Sequence, residues 1–501
     1  MECATCEPSL GLAHIASFIS SNKVDVTLYD FDMLAVDMSY IRALLEKKSP
    51  DMVGISFLTA NRHVAFEIAR IAKSLSAFVV AGGPHITFTA QETLRGISAF
   101  DVAVVGEGEI TMGELLQYLE KKKNLEDISG IAYRKNGNIV LNPTRPLLQD
   151  INILPEPAWH LLPIAEYPEY ALMGTRGCWE GCIFCNSPAF WQKKIRYILP
   201  QRLVDWAEHL TKDYGKKTIR FRDDYFTGNK KWVLAVCEEI LRRKLKIRWE
   251  CQGRVDHVDS EVFKMMRKAG CYKISFGVES GNERILAYIH KNINRDDVKQ
   301  AIQLARKCGF EQIVTLFMLG HPTETLQTLE ETYRFALELR ADLVSFKPTD
   351  IFPGTQLYTY AIQNGVLPLN FNWLEKGIWK RGFCTEVDVP VYENPELKRT
   401  DLEKISKLFF MRSYIDRLLS YANYRDITYF KVTQFGFGFN LRDFSLFCQQ
   451  LNQSLCNQKW IRLVSIIFFT VLLLVYKTIK SIIRRIRLKW MYIRVELFYR
   501  I

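Results

Sequence analysis

The sequence predicts an α/β protein in which a doubly wound N-terminal sheet is followed by a partial (β/α)6 barrel and a mostly helical C-terminal region. Short β-branched runs alternate with helical stretches over about 10–145, and six further such units follow over about 168–365. A chain of 501 residues that is 48% hydrophobic suggests two or three domains. The predicted regions are 1–145, a linker at 146–167, the barrel at 168–365, a helical cap at 366–456 and a tail at 457–501.

The N-terminal region shows the pattern of buried parallel strands separated by helices. Its predicted helices are Ile41–Lys47, Val64–Leu75 and Glu109–Leu119, and its predicted strands are Val24–Tyr29, Met52–Phe57, Phe78–Gly82 and Val102–Val105. Ligands of such sheets bind outside the carboxyl ends of the strands. Two glycine-bearing turns are expected there, one with Gly82, Gly83 and His85 and the other with Gly106 and Glu107.

The second region is predicted to form the barrel, which places reactive groups on loops at the carboxyl ends of its strands. Helices are expected at Lys231–Arg242, Ser260–Arg267 and Asp297–Lys307. The predicted strands are Tyr170–Thr175, Thr218–Phe221, Ile247–Cys251, Lys273–Gly277, Ile313–Met318 and Leu343–Phe346.

Three cysteines follow the first barrel strand with the spacing C-x3-C-x2-C: Cys178, Cys182 and Cys185. Three thiolates hold three corners of a 4Fe-4S cluster and leave one iron open to a ligand that is not protein. Structural zinc sites usually have four protein ligands, and ferredoxin clusters are usually held by four cysteines. The alternatives are a zinc knuckle or three core cysteines. Cys3 and Cys6 are interpreted as ordinary thiols, with a redox or metal pair as the alternative.

The cysteine run and several other segments resemble sequences of one branch of the radical S-adenosylmethionine (SAM) enzymes, the branch that carries a cobalamin-binding domain. The similar segments include Pro8–Ala13, Gly82–His85, Gly106–Glu109, Arg176–Cys185, Ser275–Gly281, Met318–Thr325 and Phe352–Thr355. The resemblance implies a cobalamin-binding domain over Pro8 to Tyr167 and a radical SAM barrel after it. Two departures are visible: Met1–Glu7 is too short and polar to be the family's first strand, and no Asp-x-His-x-x-Gly run is present.

The resemblance also implies roles for individual residues. It implies that Cys178, Cys182 and Cys185 form the metal-binding and catalytic centre. The residues implied to bind SAM are Phe184 beside the adenine, Asp223 or Asp224 at the amino group, Arg254 at the carboxylate, Glu279 and Ser280 at the ribose or the amino acid end, and Gly320 at the base. The residues implied for cobalamin are Gly82, Gly83, His85, Gly106 and Glu107.

Simpler interpretations stay open for three of these positions and for the segment that follows Gly320. Asp224 could cap a helix, Arg254 could pair with Asp256, and Thr323 with Glu324 could start a helix. His85 could be a turn histidine satisfied by backbone groups.

The positive charge of the chain is concentrated in its tail. Residues 457–501 carry ten Lys or Arg and one Glu, a net +9 of the total +12, so the first 456 residues carry only +3. Within the tail, Leu463–Tyr476 is uncharged and apolar, but shorter than the roughly 20 residues that span a bilayer. The basic segment after it predicts association with an anionic membrane surface from the cytoplasmic side. The alternative is a buried helix followed by a solvated basic helix.

The predicted function is a cytoplasmic radical SAM enzyme that receives electrons from a flavodoxin or a ferredoxin. The leading prediction is a cobalamin-dependent carbon methyltransferase acting on a small hydrophobic substrate such as a lipid, an isoprenoid or a tetrapyrrole. A radical oxidoreductase or cyclase without methyl transfer is the alternative. A nucleic-acid-modifying enzyme is disfavoured by the nearly neutral body of the chain, and a non-catalytic binding protein by the intact set of three cysteines.

Overall fold

The computed structural model of the protein describes residues 7–20, 24–31, 37–167, 170–375, 380–381, 385–386 and 389–421. The chain divides into two compact units, Met1–Phe410 and Met411–Ile501. Cys3, Cys6 and the predicted tail at 457–501 lie outside the described residues. Among the helices that the structure describes, none is both long enough and apolar enough to cross a membrane.

The N-terminal sheet has five strands whose order in space follows their order in sequence. The first three are parallel, and the last two are antiparallel to their neighbours. The strands are β1 (Met52–Ser56), β2 (Phe78–Gly82), β3 (Val102–Val104), β4 (Ile131–Lys135) and β5 (Asn138–Leu141), and the helices are α1 (Leu10–Ser20), α2 (Met38–Lys48), α3 (Arg62–Ser74), α4 (Pro84–Gly96) and α5 (Glu109–Leu119). The predicted alternation of strands and helices is therefore confirmed from Ile41 to Leu119.

One predicted strand of this region is wrong. Residues 24–27 alternate between half-buried and exposed positions, as a strand would, but residues 24–29 form no strand in the structure. A strand is stabilised by hydrogen bonds to a neighbour, and β1 pairs only with β2 among the described strands. The segment Ile131–Lys135, for which no strand is predicted above, contributes β4 to the sheet.

The second region contains a sheet of six parallel strands in the order β13-β12-β11-β10-β9-β6, which confirms the predicted partial barrel. These strands are β6 (Tyr170–Leu172), β9 (Thr218–Phe221), β10 (Arg248–Gly253), β11 (Cys271–Glu279), β12 (Gln312–Leu319) and β13 (Leu343–Pro348). A small antiparallel hairpin lies between the first two of them, formed by β7 (Thr175–Arg176) and β8 (Arg196–Tyr197).

Helices connect the barrel strands, and short polar side chains start several of them. The helices are α6 (Ser187–Phe190), α7 (Pro200–Tyr214), α8 (Lys230–Arg242), α9 (Ser260–Lys268), α10 (Glu283–Tyr288), α11 (Arg295–Lys307), α12 (Leu326–Glu338) and α13 (Gln356–Gln363). Asn229, Asp259 and Asn294 each accept a hydrogen bond from a backbone amide in the first turn of α8, α9 and α11, which satisfies donors that a helix leaves unpaired.

Among the described residues after the barrel there are two short strands and one long helix. They are β14 (Lys380–Arg381), β15 (Thr385–Glu386) and α14 (Arg399–Tyr421). The helix begins five residues after Asn394. The side-chain oxygen of Asn394 accepts hydrogen bonds from the amides of Glu396 and Leu397, so these residues form a separate turn. Short 3-10 turns complete the described fold at Thr59–Asn61, Leu125–Asp127, Ile151–Ile153, Trp159–Leu161, Ile164–Glu166 and Phe226–Gly228.

The two faces of the barrel sheet differ in chemistry. Ile219, Trp249 and Phe276 belong to the main apolar core. The alternate positions carry charge, and Glu250 pairs with Arg220 on one neighbouring strand at 2.8 Å and with Lys273 on the other at 2.7 Å. Since side chains of a strand alternate between faces, these ion pairs lie on the face opposite the core.

We predict that Trp249→Ala destabilises the barrel by about 3–5 kcal/mol, because its fully buried ring contacts Phe221 and Phe226 and its indole N–H donates to the carbonyl of Ala269. Chemical denaturation, followed by the circular dichroism of the backbone, measures the change in the free energy of unfolding. Leu369→Ala is the control, since Leu369 is 88% exposed and should change stability by no more than about 0.5 kcal/mol. Equal effects of the two changes would contradict the packing described.

Candidate active site

The cysteine loop joins β7 to α6 and is held by backbone contacts on both sides. Gly177 has φ +120°, and a β-carbon there would lie 1.8 Å from the carbonyl oxygen of Lys194, so only glycine fits before Cys178. The amide of Ile183 donates to the carbonyl of Ile289, and the carbonyl of Ile183 accepts from the amide of Leu357. The loop is therefore fixed by the turn after α10 and by the first turn of α13.

The three cysteines are free thiols, each partly buried. Burial raises the pKa of Cys178 to about 11 and that of Cys185 to about 12, and it also raises the pKa of Cys182. A buried thiolate needs a nearby cation, which iron supplies. The set of three soft sulfur ligands fits an iron–sulfur cluster and leaves one coordination position for another ligand.

The spacing of the sulfurs argues against a single zinc ion. Among the residues that the structure describes, the group whose ligand atoms all lie within 4.8 Å of one another is Glu180, Asp256 and His257. The three cysteine sulfurs do not form such a group, so at least one pair of them lies more than 4.8 Å apart, whereas four ligands around one zinc ion lie about 3.8 Å apart. The carboxylate of Asp256 is bound by Arg254, so this acidic group is an ion pair at the rim of the site.

Cationic and anionic groups meet beside Cys182. The ammonium group of Lys291 lies 3.0 Å from the carboxylate of Glu279, and both side chains are about nine-tenths buried. Burial alone would lower the pKa of Lys291, but Glu279 and Cys182 outweigh burial and raise it. Lys291 therefore carries a charge at neutral pH. The sequence analysis missed this residue, since a lysine after a short helix has no distinguishing local pattern.

Glu279 sits in a strained position at the end of β11. Its φ is +68°, in the left-handed region that β-strand residues rarely adopt, and the pairing of β11 with β12 shifts register between Gly277 and Glu279. Such strain is concentrated at functional sites. The neighbouring Ser280 is fully buried, and its hydroxyl lies 3.1 Å from that of Thr332 on α12. Both residues were implied to contact SAM. In the structure, Glu279 lies beside the cysteine loop, whereas Ser280 packs against α12.

Arg254 at the end of β10 is mostly engaged within the protein. Its guanidinium donates two hydrogen bonds to Asp256 and a third to the carbonyl of Lys291, and it lies 3.5 Å from Glu180. The pairing with Asp256 anticipated as an alternative is therefore present. Because the same guanidinium contacts the Lys291 backbone, Arg254 also fixes the lysine beside Cys182.

The two aspartates after β9 have different environments. Asp223 is fully buried next to Thr175, and burial raises its pKa to about 7. Asp224 is exposed and accepts hydrogen bonds from the Ser187 hydroxyl and the Trp191 indole. Both donors follow Cys185 closely in the sequence. Asp224 caps no helix, since the next helix begins with Asn229 as its cap. Asp224 is thus the aspartate that borders the cysteine loop.

Phe184 packs toward the end of β12. Its ring centroid lies 5.8 Å from that of His321, which is fully buried. Glu324 accepts hydrogen bonds from the amides of Gly320 and His321 and thereby closes this turn, while Thr325 caps α12. A β-carbon at Gly320 would collide with Leu402, so in this structure an apolar side chain of α14 occupies the space next to this glycine.

The two glycine-bearing turns of the N-terminal region lie at the carboxyl ends of β2 and β3. A β-carbon at Gly82 or Gly106 would meet no atom within 4 Å, so both positions face open space. A cavity of about 180 Å³ adjoins the second turn, and its lining includes Thr87, Gly106 and Phe190. Phe190 belongs to α6, directly after the cysteine loop. The cavity therefore extends from the second turn to the barrel.

His85 and Glu107 are both bound within the protein. His85 is 1% exposed in the first turn of α4, its Nδ1 lies 3.0 Å from the Thr59 hydroxyl, and its ring packs against Phe57 and Trp373. Burial lowers its pKa to about 3, so the ring is neutral. Its partner is a side chain and not the backbone groups that the simpler interpretation expected. The carboxylate of Glu107 binds Arg176 and Arg196 of the barrel hairpin.

Family models match both regions of the chain. The model of the radical SAM superfamily matches residues 172–336, and the model of the B12 binding domain matches residues 2–116. An uncharacterised methyltransferase from Pyrococcus horikoshii is 37% identical over 420 residues, which is 82% of this chain and 88% of that protein. The chain belongs to the cobalamin-binding branch of the radical SAM enzymes. The fold, the enzyme class and the family predicted from the sequence are confirmed.

Other relatives of this radical SAM enzyme differ in reaction type. The anaerobic magnesium-protoporphyrin IX monomethyl ester cyclase of Cereibacter sphaeroides is 31% identical, with 67% of this chain and 58% of that protein covered. The cobalamin-dependent SAM radical enzyme OxsB, solved with aqua-cobalamin and SAM bound, aligns with a TM-score of 0.68 over 90% of this chain and 69% of that one. The methyltransferase TsrM from Kitasatospora setae aligns at 0.63 over 72% of each chain. At 17% and 16% identity, these two structures show the shared fold.

We predict that iron loading of this radical SAM enzyme becomes tighter as pH rises from 7 to 9. The buried thiols of Cys178 and Cys185 are protonated over this range because their pKa values lie near 11 and 12, so binding iron must release their protons. Each released proton strengthens apparent affinity by about tenfold per pH unit. Anaerobic titration with a competing chelator measures this slope. Affinity that is independent of pH would show that the thiols are already ionised.

Proposed function

We propose that this chain cleaves SAM reductively at a 4Fe-4S cluster held by Cys178, Cys182 and Cys185, and that it transfers a methyl group by way of cobalamin to a carbon atom of its substrate. The observation that supports this most strongly is the loop of three partly buried thiols at the barrel's strand ends, with the glycine turns of the cobalamin-binding region nearby. When bound, the cluster with SAM supplies a 5′-deoxyadenosyl radical, and cobalamin supplies the methyl group.

We assign different groups of SAM to different residues around the loop. We assign Lys291 and Arg254 to the carboxylate of SAM, because they bring two cations to Cys182. Asp224 is the better candidate for the amino group, since it is exposed beside the loop, whereas Asp223 is fully buried. Glu279 orients Lys291 through their 3.0 Å contact and is available to the ribose hydroxyls. Phe184 remains the candidate neighbour of the adenine, while contacts from Ser280 and Gly320 stay predictions.

For cobalamin, the proposal rests on the turns and not on a cobalt ligand. Gly82 and Gly106 leave the backbone open to close approach, whereas Gly83 packs against the backbone of Phe57 and has φ +98°. His85 is buried against Trp373, and the side chain of Glu107 is bound to two arginines. We therefore assign the cobalamin contact of these segments to backbone atoms of the two turns, with His85 supporting the first turn through Thr59.

A cyclase without methyl transfer is the second candidate, favoured by the cyclase relatives. The methyltransferase proposal is preferred because the Pyrococcus horikoshii relative matches over 88% of its own length, compared with 58% for the Cereibacter sphaeroides cyclase. An external reductant is required, and a flavodoxin or a ferredoxin is proposed. The hydrophobic substrate and the membrane surface stay predictions, because the tail lies outside the described residues. The exclusion of nucleic acid stays a prediction as well.

We predict that the anaerobically reconstituted full chain, given SAM, a low-potential reductant and aqua-cobalamin, forms two products. Reductive cleavage of SAM gives 5′-deoxyadenosine, and transfer of the methyl group of a second SAM to the reduced cobalamin gives S-adenosylhomocysteine. Mass spectrometry quantifies both products. Cys182→Ala should lose cluster iron and both products, since its sulfur is one of only three protein ligands. Cys308→Ala is the matched control, because Cys308 is a partly buried cysteine at the end of α11 and should leave both products unchanged.

The possible outcomes separate the two candidate functions. Deoxyadenosine without S-adenosylhomocysteine would favour the cyclase or another radical oxidation. Neither product from protein with a full complement of iron would contradict the enzymatic proposal, and unchanged cleavage by Cys182→Ala would contradict the assignment of the cluster.

We predict that Lys291→Met weakens SAM binding by at least about tenfold with the iron content preserved. A hydrogen bond between charged groups contributes about 1.5–3 kcal/mol, and 1.4 kcal/mol corresponds to a factor of ten. Equilibrium binding of SAM to the reconstituted chain measures the loss. Lys291→Arg keeps the charge and should recover most of the affinity. Lys299→Met removes a lysine that pairs with Glu338 and serves as the control; an equal loss in that variant would contradict the assignment.

A further inference from the structure

A buried ion-pair network joins the cobalamin-binding region to the start of the cysteine loop. Glu107, between the two glycines of the turn after β3, accepts from Arg176 at 2.8 Å through one oxygen and from Arg196 at 2.7 Å through the other. Glu109 accepts from Arg176 at 2.5 Å. All four side chains are at least nine-tenths buried. Two carboxylates thus meet two guanidinium groups with no net charge and little access to water.

The carboxylate of Glu107 is fully used by groups outside its own sheet. Besides the two arginines, it accepts from the amide of Leu148 at 2.9 Å, and Leu148 belongs to the segment that leads to the barrel. Arg196 also donates to the carbonyl of Leu148. A carboxylate with three such donors is held in one orientation, which leaves the backbone of Gly106 and Glu107 to border the cavity.

The arginine partners are fixed in the same way on the barrel side. Arg176 and Arg196 are directly opposite each other in the β7–β8 hairpin, and Arg176 lies two residues before Cys178. Gly177, which lies between Arg176 and Cys178, packs against the backbone of Lys194, and Lys194 leads into β8. A displacement of the Glu107 turn would therefore move the hairpin, and with it the first cysteine.

The cavity lies at the same junction. Its lining includes Thr87, Gly106 and Glu107 from the cobalamin-binding region and Ala189 and Phe190 from α6, which directly follows the cysteine loop. A ligand at the glycine turn and a ligand at the cysteine loop therefore contact elements that the ion pairs connect. Coupling between two binding sites requires such a shared element, and the coupling is reciprocal.

We infer that Glu107, held by Arg176 and Arg196 and supported by Glu109, is a positioning residue that couples the cobalamin site energetically to the SAM site. The inference rests on the proposed function, since the two ligands are those proposed above. It differs from a cofactor-binding role for the Glu107 side chain, because removal of its charge should weaken the coupling more than the binding of either ligand.

The test measures the dissociation constant of SAM for the reconstituted full chain with and without saturating aqua-cobalamin, by equilibrium filtration. In the natural sequence we expect cobalamin to change this constant by fivefold or more, within the usual range of coupling. In Glu107→Gln, which keeps the shape of the side chain and removes its charge, the ratio should fall to within twofold of one. Iron content and the two separate affinities should stay within threefold of their original values.

Glu114→Gln is the matched control. Glu114 lies on α5 and also forms ion pairs, with Lys123 and Arg145, but both partners belong to the N-terminal region and neither belongs to the barrel hairpin. Its coupling ratio should equal that of the natural sequence. If Glu107→Gln does not fold, Glu109→Gln removes only one acceptor of Arg176 and is expected to reduce the ratio in the same direction.

The remaining outcomes would overturn the inference in distinguishable ways. A natural sequence that binds both ligands with a ratio near one, or a Glu107→Gln variant that keeps the full ratio, would exclude coupling through this network. An equal loss in Glu114→Gln would show a general effect of removing ion pairs. Failure of the natural sequence to bind either ligand would overturn the proposed function itself.

Discussion

The position of the cysteine loop depends on two backbone hydrogen bonds made by one residue, Ile183. Its amide bonds to Ile289 and its carbonyl bonds to Leu357, residues separated from it by more than half of the barrel. The loop therefore reaches its final position only when the strands and helices that carry those partners have assembled. Since the loop's thiols resist ionisation when buried, the barrel determines both the geometry of the three sulfurs and the need for iron to stabilise their charge.

The charges beside the loop are already paired before any ligand binds. Lys291 pairs with Glu279, and Arg254 pairs with Asp256. Breaking a buried pair is costly, because it leaves an uncompensated charge. An anionic ligand group can instead share these cations, since Lys291 has three donors and only one contact to Glu279 is present. The strained backbone of Glu279 keeps its carboxylate beside the lysine, so this charged pair is in place before a ligand binds.

Local patterns in the sequence were sufficient for most of the fold and for part of the site. Phe78–Gly82 and Glu109–Leu119 were predicted with the bounds that the structure shows, because their apolar periodicity and flanking glycines are local signals. The segment Val24–Tyr29 has the same alternation but is not a strand, since pairing depends on a neighbour that the local pattern does not specify.

The residues that the sequence analysis missed share one property: their roles come from contacts with distant partners. Lys291, Arg176 and Arg196 carry no motif of their own, although Arg176 adjoins the cysteine run. Glu107 was predicted as a cobalamin-contacting residue of a glycine-bearing turn, and the structure directs its carboxylate to two arginines. A spacing pattern identifies the turn; only the packed structure shows which side-chain atoms remain available.

Charged groups and not apolar ones join the Glu107 turn to the β7–β8 hairpin. Replacing buried ion pairs with apolar groups often leaves stability unchanged or improves it. Arg196 is also incompletely satisfied, since its Nε and Nη2 atoms are buried without a hydrogen-bond partner among the described residues. Stability therefore does not explain the arrangement. Directional hydrogen bonds from two arginines to one carboxylate do fix one register between the turn and the hairpin, whereas an apolar contact would tolerate sliding. Two sites that must exchange a reactive group need such a register, because small misplacements at a reacting centre reduce rates strongly.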